Sequence, residues 1–288
     1  MIDGKTQLLG VIGYPIAHSL SPVMHNAALA HLGANYVYLP FAIHPEALEP
    51  AIQGFAAIGV RGFSVTIPHK QAILPYLTEV SEVAQAIGAV NTVWRTETGW
   101  SGTNTDVVGF LAPLQAIAHD WSQTQAVVLG CGGAARAVVA GCAQLGCQSI
   151  MVIGRDAAKL AVFHASWQNS DLGDRLLVDT WEQLPNRLVE ANLLVNTTPV
   201  GMHPQTDASP LTVAEIAQLP SNSIVYDLIY TPNPTQLLKL AAERGLMAID
   251  GLEMLVQQGS AALQIWLQQE VPVDVMRQAL RQALGFSD

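Results

Sequence analysis

The run VVLGCGGAARAVVAG, residues 127–141, constrains this chain more than any other stretch. An apolar, strand-like segment enters a glycine-rich turn and leaves it as a helix-forming segment, the context in which G-x-G-x-x-G/A carries information. Gly130 permits the tight turn, Gly132 lets backbone approach a pyrophosphate, and Ala135 fills the third, small-residue position. The helix that opens there offers unpaired N–H groups and a partial positive charge to phosphate. Without a ligand, the same residues would be a tight strand-to-helix turn and nothing more.

Short apolar runs alternate with helix-length segments along nearly the whole chain, which predicts α/β architecture with parallel sheets. LLGVIG (8–13), YVYLPF (36–41) and VRGFSV (60–65) are expected strands, and helices are expected after Ser21, Pro45 and Lys70. VNTVWR (90–95) and the segment near Trp100 form an expected hairpin closed by Glu97, Thr98 and Gly99. A second series starts near Gln123 with QAVVLG, the glycine-rich turn, a helix to Leu145 and QSIMVIG. LLVD (176–179), NLLVN (192–196), SIVYD (223–227) and LMAID (246–250) continue it at spacings that leave room for crossover helices. After Asp250 the pattern is helical. The expected division is an α/β domain over 1–108, a Rossmann-type doubly wound domain over 109–250, and C-terminal helices over 251–288 that return to the first domain.

Charge is scarce. The 288 residues carry 23 acidic and 13 basic side chains, a formal net charge of −10, and 12% of residues are charged, about half the usual share of roughly 25%. With no basic stripe to track a polyanion, nucleic-acid binding is excluded as a reading. Half the residues are apolar, which argues for a large core and against disorder. Cys131, Cys142 and Cys147 form no disulfide framework and no zinc spacing, so a reducing, cytoplasmic setting without a metal is expected. The start MIDGKTQLLGVIG has neither a basic n-region nor a long apolar core, so no signal peptide is expected. The uncharged window from Ala137 to Gly154 is broken by three glycines and three polar residues, so a buried helix and strand are expected there, not a membrane span.

A nicotinamide enzyme needs a proton donor and acceptor beside the carbon that exchanges hydride. Lys70, in SVTIPHK, and Asp106, in GTNTDVVG, stand in loops after strands, each inside a polar cluster (Thr66 and His69; Thr103, Asn104 and Thr105) of an otherwise apolar domain. An ammonium can protonate a ketone oxygen as hydride arrives, and a carboxylate can hold that ammonium in place. In the second domain the segment VIGRDAAKL, 152–160, follows the second strand, where an acidic residue selects NAD and an arginine accommodates the extra phosphate of NADP. Arg155 and Lys159 favour NADP; Asp156 pulls the other way.

Eight segments, HSLSP (18–22), SVTIPHK (64–70), GAVNTV (88–93), GTNTDVVGF (102–110), GCGGAARA (130–137), NTTPVGM (196–202), DLIYTPNPT (227–235) and DGLEMLVQQG (250–259), closely resemble the shikimate dehydrogenases in order and spacing. The resemblance spans essentially the full chain. It implies reversible reduction of 3-dehydroshikimate to shikimate with NADP(H), a substrate-binding catalytic first domain and an NADP-binding second one. Lys70 matches the catalytic lysine and Asp106 its partner. Ser19 and Ser21 match the serines that hold the substrate carboxylate, assisted by a tyrosine matching Tyr230. Thr66, Asn91, Asp106 and Gln258 match residues that bind the ring hydroxyls. On the cofactor side the matches are Gly130, Cys131, Gly132, Gly133 and Ala134 in the turn, Arg155 and Lys159 for the 2′-phosphate, Thr198, Leu228, Gly251 and Met254 toward the nicotinamide, and Glu82, which aligns with an acidic residue near the cofactor. Relatives that use NADP typically read N-R-T-x-x-R, whereas Gly154, Arg155, Asp156 and Lys159 stand here. An NAD-using quinate/shikimate dehydrogenase and a non-catalytic dinucleotide sensor are the alternatives. Shikimate is the expected small-molecule partner, with a homodimer as one option for assembly and no membrane association.

Overall fold

The computed structural model describes residues 2–168 and 170–286. Among them, twelve strands form two six-stranded sheets. The chain divides into two compact units, Met1–Gly109 with Leu255–Asp288, and Phe110–Met254.

The first unit holds β1 (Gln7–Gly13), α1 (Ser21–His31), β2 (Tyr36–Ala42), α2 (Leu48–Ala57), β3 (Val60–Val65), α3 (His69–Ala72), β4 (Glu79–Val80), α4 (Glu82–Ile87), β5 (Thr92–Arg95), β6 (Trp100–Thr103) and the start of α5 (Asp106–Gln115). Its sheet runs β2-β1-β3-β5-β6-β4. β1 pairs in parallel with β2 and β3, while β5 runs antiparallel to both β3 and β6. The expected hairpin is present, its turn closed by the Thr96 N–H donating to Gly99 O at 2.9 Å. Two expectations need correction. The helix at Lys70 is a single turn, His69–Ala72, followed by a 3-10 turn at Leu74–Tyr76, because Pro68 and Pro75 bracket a segment too short to propagate. The stretch after Pro45 opens as a 3-10 turn and becomes α-helical only at Leu48.

The second unit holds β7 (Gln125–Leu129), α6 (Gly133–Gln144), β8 (Ser149–Gly154), α7 (Ala157–Ala165), β9 (Leu176–Thr180), α8 (Leu184–Leu188), β10 (Leu193–Asn196), α9 (Val213–Ile216), β11 (Ile224–Asp227), α10 (Gln236–Glu243) and β12 (Met247–Ile249). Every pairing is parallel and the order is β12-β11-β10-β7-β8-β9. Counting from the first strand of this unit, that is the doubly wound Rossmann order, whose topological switch point lies between β7 and β10. Strands covered on both faces read as continuous apolar runs; Val127, Leu129, Met151, Ile153, Leu194 and Val225 accordingly share one buried cluster with α8 and α10 side chains.

Two helices complete the chain, α11 (Leu252–Leu267) and α12 (Val273–Ala283). Within the first unit α11 reaches the sheet through Trp266, whose indole N–H donates to Val93 O at 3.0 Å. A Cβ on Gly62 would stand 2.3 Å from that indole nitrogen, so the strand needs glycine there to admit the ring. No helix among the described residues is long and apolar enough to cross a membrane.

Candidate active site

Strand register gathers the polar residues of the first unit at one end of its sheet. Ile12 is level with Val65, Ser64 with Thr92, and Thr92 with Thr103. The segments that leave these positions carry Ser19, Thr66, Lys70, Asn91 and Asp106. Gly13 helps close the group, since a Cβ there would lie 2.6 Å from Thr66 Cγ2. The Ser21 N–H donates to Ser19 Oγ at 3.3 Å, which places both serines at the start of α1.

Lys70 Nζ donates to Asp106 Oδ2 at 2.5 Å, with the two side chains only 14% and 8% exposed. Asp106 Oδ1 accepts from Asn91 Nδ2 at 2.8 Å. Asn91 Oδ1 in turn accepts from the Thr105 N–H at 2.8 Å and from Thr92 Oγ1 at 2.9 Å. Asn91 Nδ2 also lies 3.4 Å from Gln258 Oε1, which brings α11 into the cluster. Asn104 is tied to Ala89 O and accepts the Asp106 N–H, so the backbone that carries the carboxylate is held as well. His69, buried beside Lys70, contacts Ile43 O through Nε2 at 2.7 Å and anchors the short α3. The result is a desolvated ammonium–carboxylate pair inside a network of amides and hydroxyls, a group that can donate and recover a proton without being rearranged by water. Lys70, Asp106, Asn91 and Gln258 thus come together. Glu82 stands exposed in the first turn of α4, with no hydrogen bond or ion pair among the described residues.

In the second unit the glycine-rich turn leaves β7 at the switch point. Gly130 has φ +104°, and a Cβ there would meet Thr197 Oγ1 at 2.7 Å. Gly132 is the N-cap of the twelve-residue α6 and supplies no side chain to its free N–H groups, while a Cβ on it would meet nothing within 4 Å. An uncapped helix N-terminus with open space above it fits a dinucleotide pyrophosphate. Thr197 ties the next loop to this turn, donating from N and Oγ1 to Leu129 O at 3.0 and 2.7 Å. Gly251 is packed so closely that a Cβ would lie 2.1 Å from Leu228 O. Leu228 and Gly251 are therefore neighbours, with Met254 buried one turn further on.

Arg155 and Lys159 are exposed, and Asp156 lies between them with a defined task. Its Oδ1 accepts from the Ala158 and Lys159 N–H groups at 3.0 and 3.1 Å, making it the N-cap of α7. Its other oxygen is 3.9 Å from Lys159 Nζ. One of its two oxygens is thus engaged in capping α7.

One polar constellation escaped the sequence reading. Asn196 and Asp227 end β10 and β11, are paired in register, and hydrogen bond through Asn196 Nδ2 to Asp227 Oδ1 at 3.0 Å. A polar residue closing each of two apolar strands, NLLVN and SIVYD, was the available signal.

The shikimate dehydrogenase substrate binding domain matches residues 11–93, and the shikimate 5′-dehydrogenase C-terminal domain matches residues 251–281. The shikimate dehydrogenase (NADP(+)) of Trichormus variabilis is 64% identical over 288 residues, covering 99% of this chain and all of that one. The chain belongs to the shikimate dehydrogenase family. Among solved structures, a shikimate dehydrogenase in complex with NADP+ superposes with a TM-score of 0.90 at 37% identity, over 99% of this chain and 98% of the other. The Thermus thermophilus enzyme in complex with NADP(H) and shikimate gives 0.84 at 35% identity, over 97% of this chain and 100% of that one. The family's fold is accordingly that of this chain, in both units.

Proposed function

We infer that the protein is an NADP-dependent shikimate dehydrogenase, interconverting 3-dehydroshikimate and shikimate. Full-length relatives named for that reaction support the activity, and they favour it over the NAD-using quinate enzyme and over a non-catalytic sensor. The observation that carries the chemistry is the buried Lys70–Asp106 pair in its Asn91 network.

Bound NADPH supplies the hydride. In the direction of reduction, Lys70 Nζ gives a proton to the ketone oxygen and stabilises the alkoxide as it forms; in reverse, Lys70 takes the proton from the hydroxyl. Asp106 Oδ2 holds the ammonium in place and keeps it from drifting toward water. Ser19 and Ser21 donate hydroxyl hydrogens to the substrate carboxylate, which needs oriented donors in a unit poor in cations, and Tyr230 shares the carboxylate role that its motif assigns. Thr66, Asn91 and Gln258 bind the ring hydroxyls, so an analogue missing one leaves buried partners unpaired and is rejected. Gly130, Cys131, Gly132, Gly133 and Ala134 receive the pyrophosphate on backbone N–H groups. Arg155 and Lys159 receive the 2′-phosphate, the guanidinium being suited to bidentate contact.

The test is turnover of purified protein with shikimate or quinate and with NADP or NAD, read at the absorbance of the reduced nicotinamide. Shikimate with NADP is expected to be the fastest pair. Faster quinate turnover or a preference for NAD would contradict the assignment.

A further inference from the structure

Asp227 is fully buried at the end of β11, and no cation pairs with it among the described residues. Burial pushes its carboxyl up to about 6, the charge of Asp250 adding to the effect. Such a group is costly to keep, and a buried apolar residue would serve the sheet alone better. Its geometry supplies a reason for retaining it. Oδ1 accepts from Asn196 Nδ2 at 3.0 Å and from the Ile229 N–H at 3.2 Å, while Oδ2 accepts from Thr235 Oγ1 at 2.7 Å. Three donors on three segments converge on two oxygens, an arrangement that only an acceptor-only side chain satisfies in full.

The chain of contacts continues through Asn196. Its Oδ1 accepts from Thr198 N and Thr198 Oγ1 at 3.0 and 2.7 Å, and its backbone carbonyl accepts from the Leu228 N–H at 3.1 Å. One carboxylate therefore fixes both loops at the ends of β10 and β11, and with them Thr198 and Leu228, while Thr235 caps α10.

We propose that Asp227 is a positioning residue, setting through Asn196 the placement of Thr198 and Leu228 and hence the geometry of hydride transfer. This rests on the assignment of those two residues to the nicotinamide half of the cofactor.

The test compares wild-type enzyme with Asp227→Asn, and with Asn196→Ala as a second variant that keeps the carboxylate but cuts the link to Thr198. Readouts are steady-state reduction of 3-dehydroshikimate, the deuterium isotope effect with NADPH labelled at the transferred position, and Tm at neutral pH. Both variants are expected to lose about 10–100-fold in kcat, as a small misplacement of reacting groups does. KM values are expected to stay within about threefold, and the isotope effect to rise because hydride transfer becomes more rate-limiting. Asp227→Asn is expected to keep a Tm near that of wild type, since relief of the buried charge offsets the loss of one of the two acceptor oxygens that Asn196, Ile229 and Thr235 share. A merely structural role would make activity fall in step with Tm and leave the isotope effect unmoved. That outcome, or wild-type kcat in both variants, would overturn the positioning role while leaving the enzyme assignment intact. A wild-type protein without turnover would overturn both.

Discussion

Breaking the Lys70–Asp106 pair from either side should cost unequal amounts of stability, and the inequality follows from what each residue keeps. Asp106→Asn leaves an ammonium that is 14% exposed without its counter-charge. Loss of one partner from such a desolvated pair costs about 3–5 kcal/mol. Lys70→Met leaves a carboxylate that still accepts from Asn91 Nδ2 at 2.8 Å and sits in the first turn of α5. A favourable helix-terminal position returns about 0.3–1 kcal/mol and the retained hydrogen bond about 1.5–3 kcal/mol, so this variant should cost only about 1–3 kcal/mol. The double variant carries neither charge, so its loss should fall short of the sum of the two by about 2–3 kcal/mol, the coupling expected for contacting groups. Urea unfolding of wild type, both single variants and the double variant at pH 7 measures it. Coupling of about 0.5 kcal/mol or less, the scale of exposed ion pairs, would refute the claim that this pair is withheld from water.

Other consequences are as specific. Gly132→Ala should change the unfolding free energy by only about 0.5 kcal/mol, because its Cβ meets nothing within 4 Å; yet it should weaken NADP binding measured by titration. Gly251→Ala should instead destabilise the fold itself by about 1–3 kcal/mol or more, because the added atom would lie 2.1 Å from backbone Leu228 O. Arg155→Ala should raise KM for NADP while leaving NAD unchanged, and Asp156→Ala should cost about 1 kcal/mol as a lost cap without improving NAD use. Asp227 also predicts a pH dependence. Its carboxyl is raised from 3.8 to about 6, so the folded state holds a proton that the unfolded state releases. The stability it contributes is complete below pH 4 and is lost as pH rises through 6, a decline of about 3 kcal/mol. Asp227→Asn should abolish that part of the Tm-versus-pH profile, and superimposable profiles would refute the raised value.

The sequence made the second unit readable because both faces of its sheet are covered: VVL, IMVI and LLV are unbroken apolar runs, and the glycine-rich turn marks the first strand. It also brought Lys70 and Asp106 forward as exceptions in a charge-poor chain, and the structure joins them directly. What stayed hidden was tertiary in origin. β4 is two residues long and has no pattern of its own. The fit of Trp266 against Gly62 depends on register between segments some 200 positions apart. Asp156 reads in sequence as a vote for NAD, and its capping of α7 through two N–H contacts is not visible there, because motif logic carries no information on backbone contacts. Asn196 and Asp227 look like ordinary strand ends until the parallel register sets them side by side.

Everything in the mechanism turns on Lys70 carrying the proton of the reaction, and kcat of Lys70→Met with saturating shikimate and NADP is the sharpest test of that role. The group acts as charge develops on the substrate oxygen, so kcat should fall by about 10²–10⁴-fold, the range for a positioned acid or base, with KM for shikimate changed far less. A variant with wild-type kcat and a raised KM would show that Lys70 only binds substrate, and proton transfer would have to be assigned to another group.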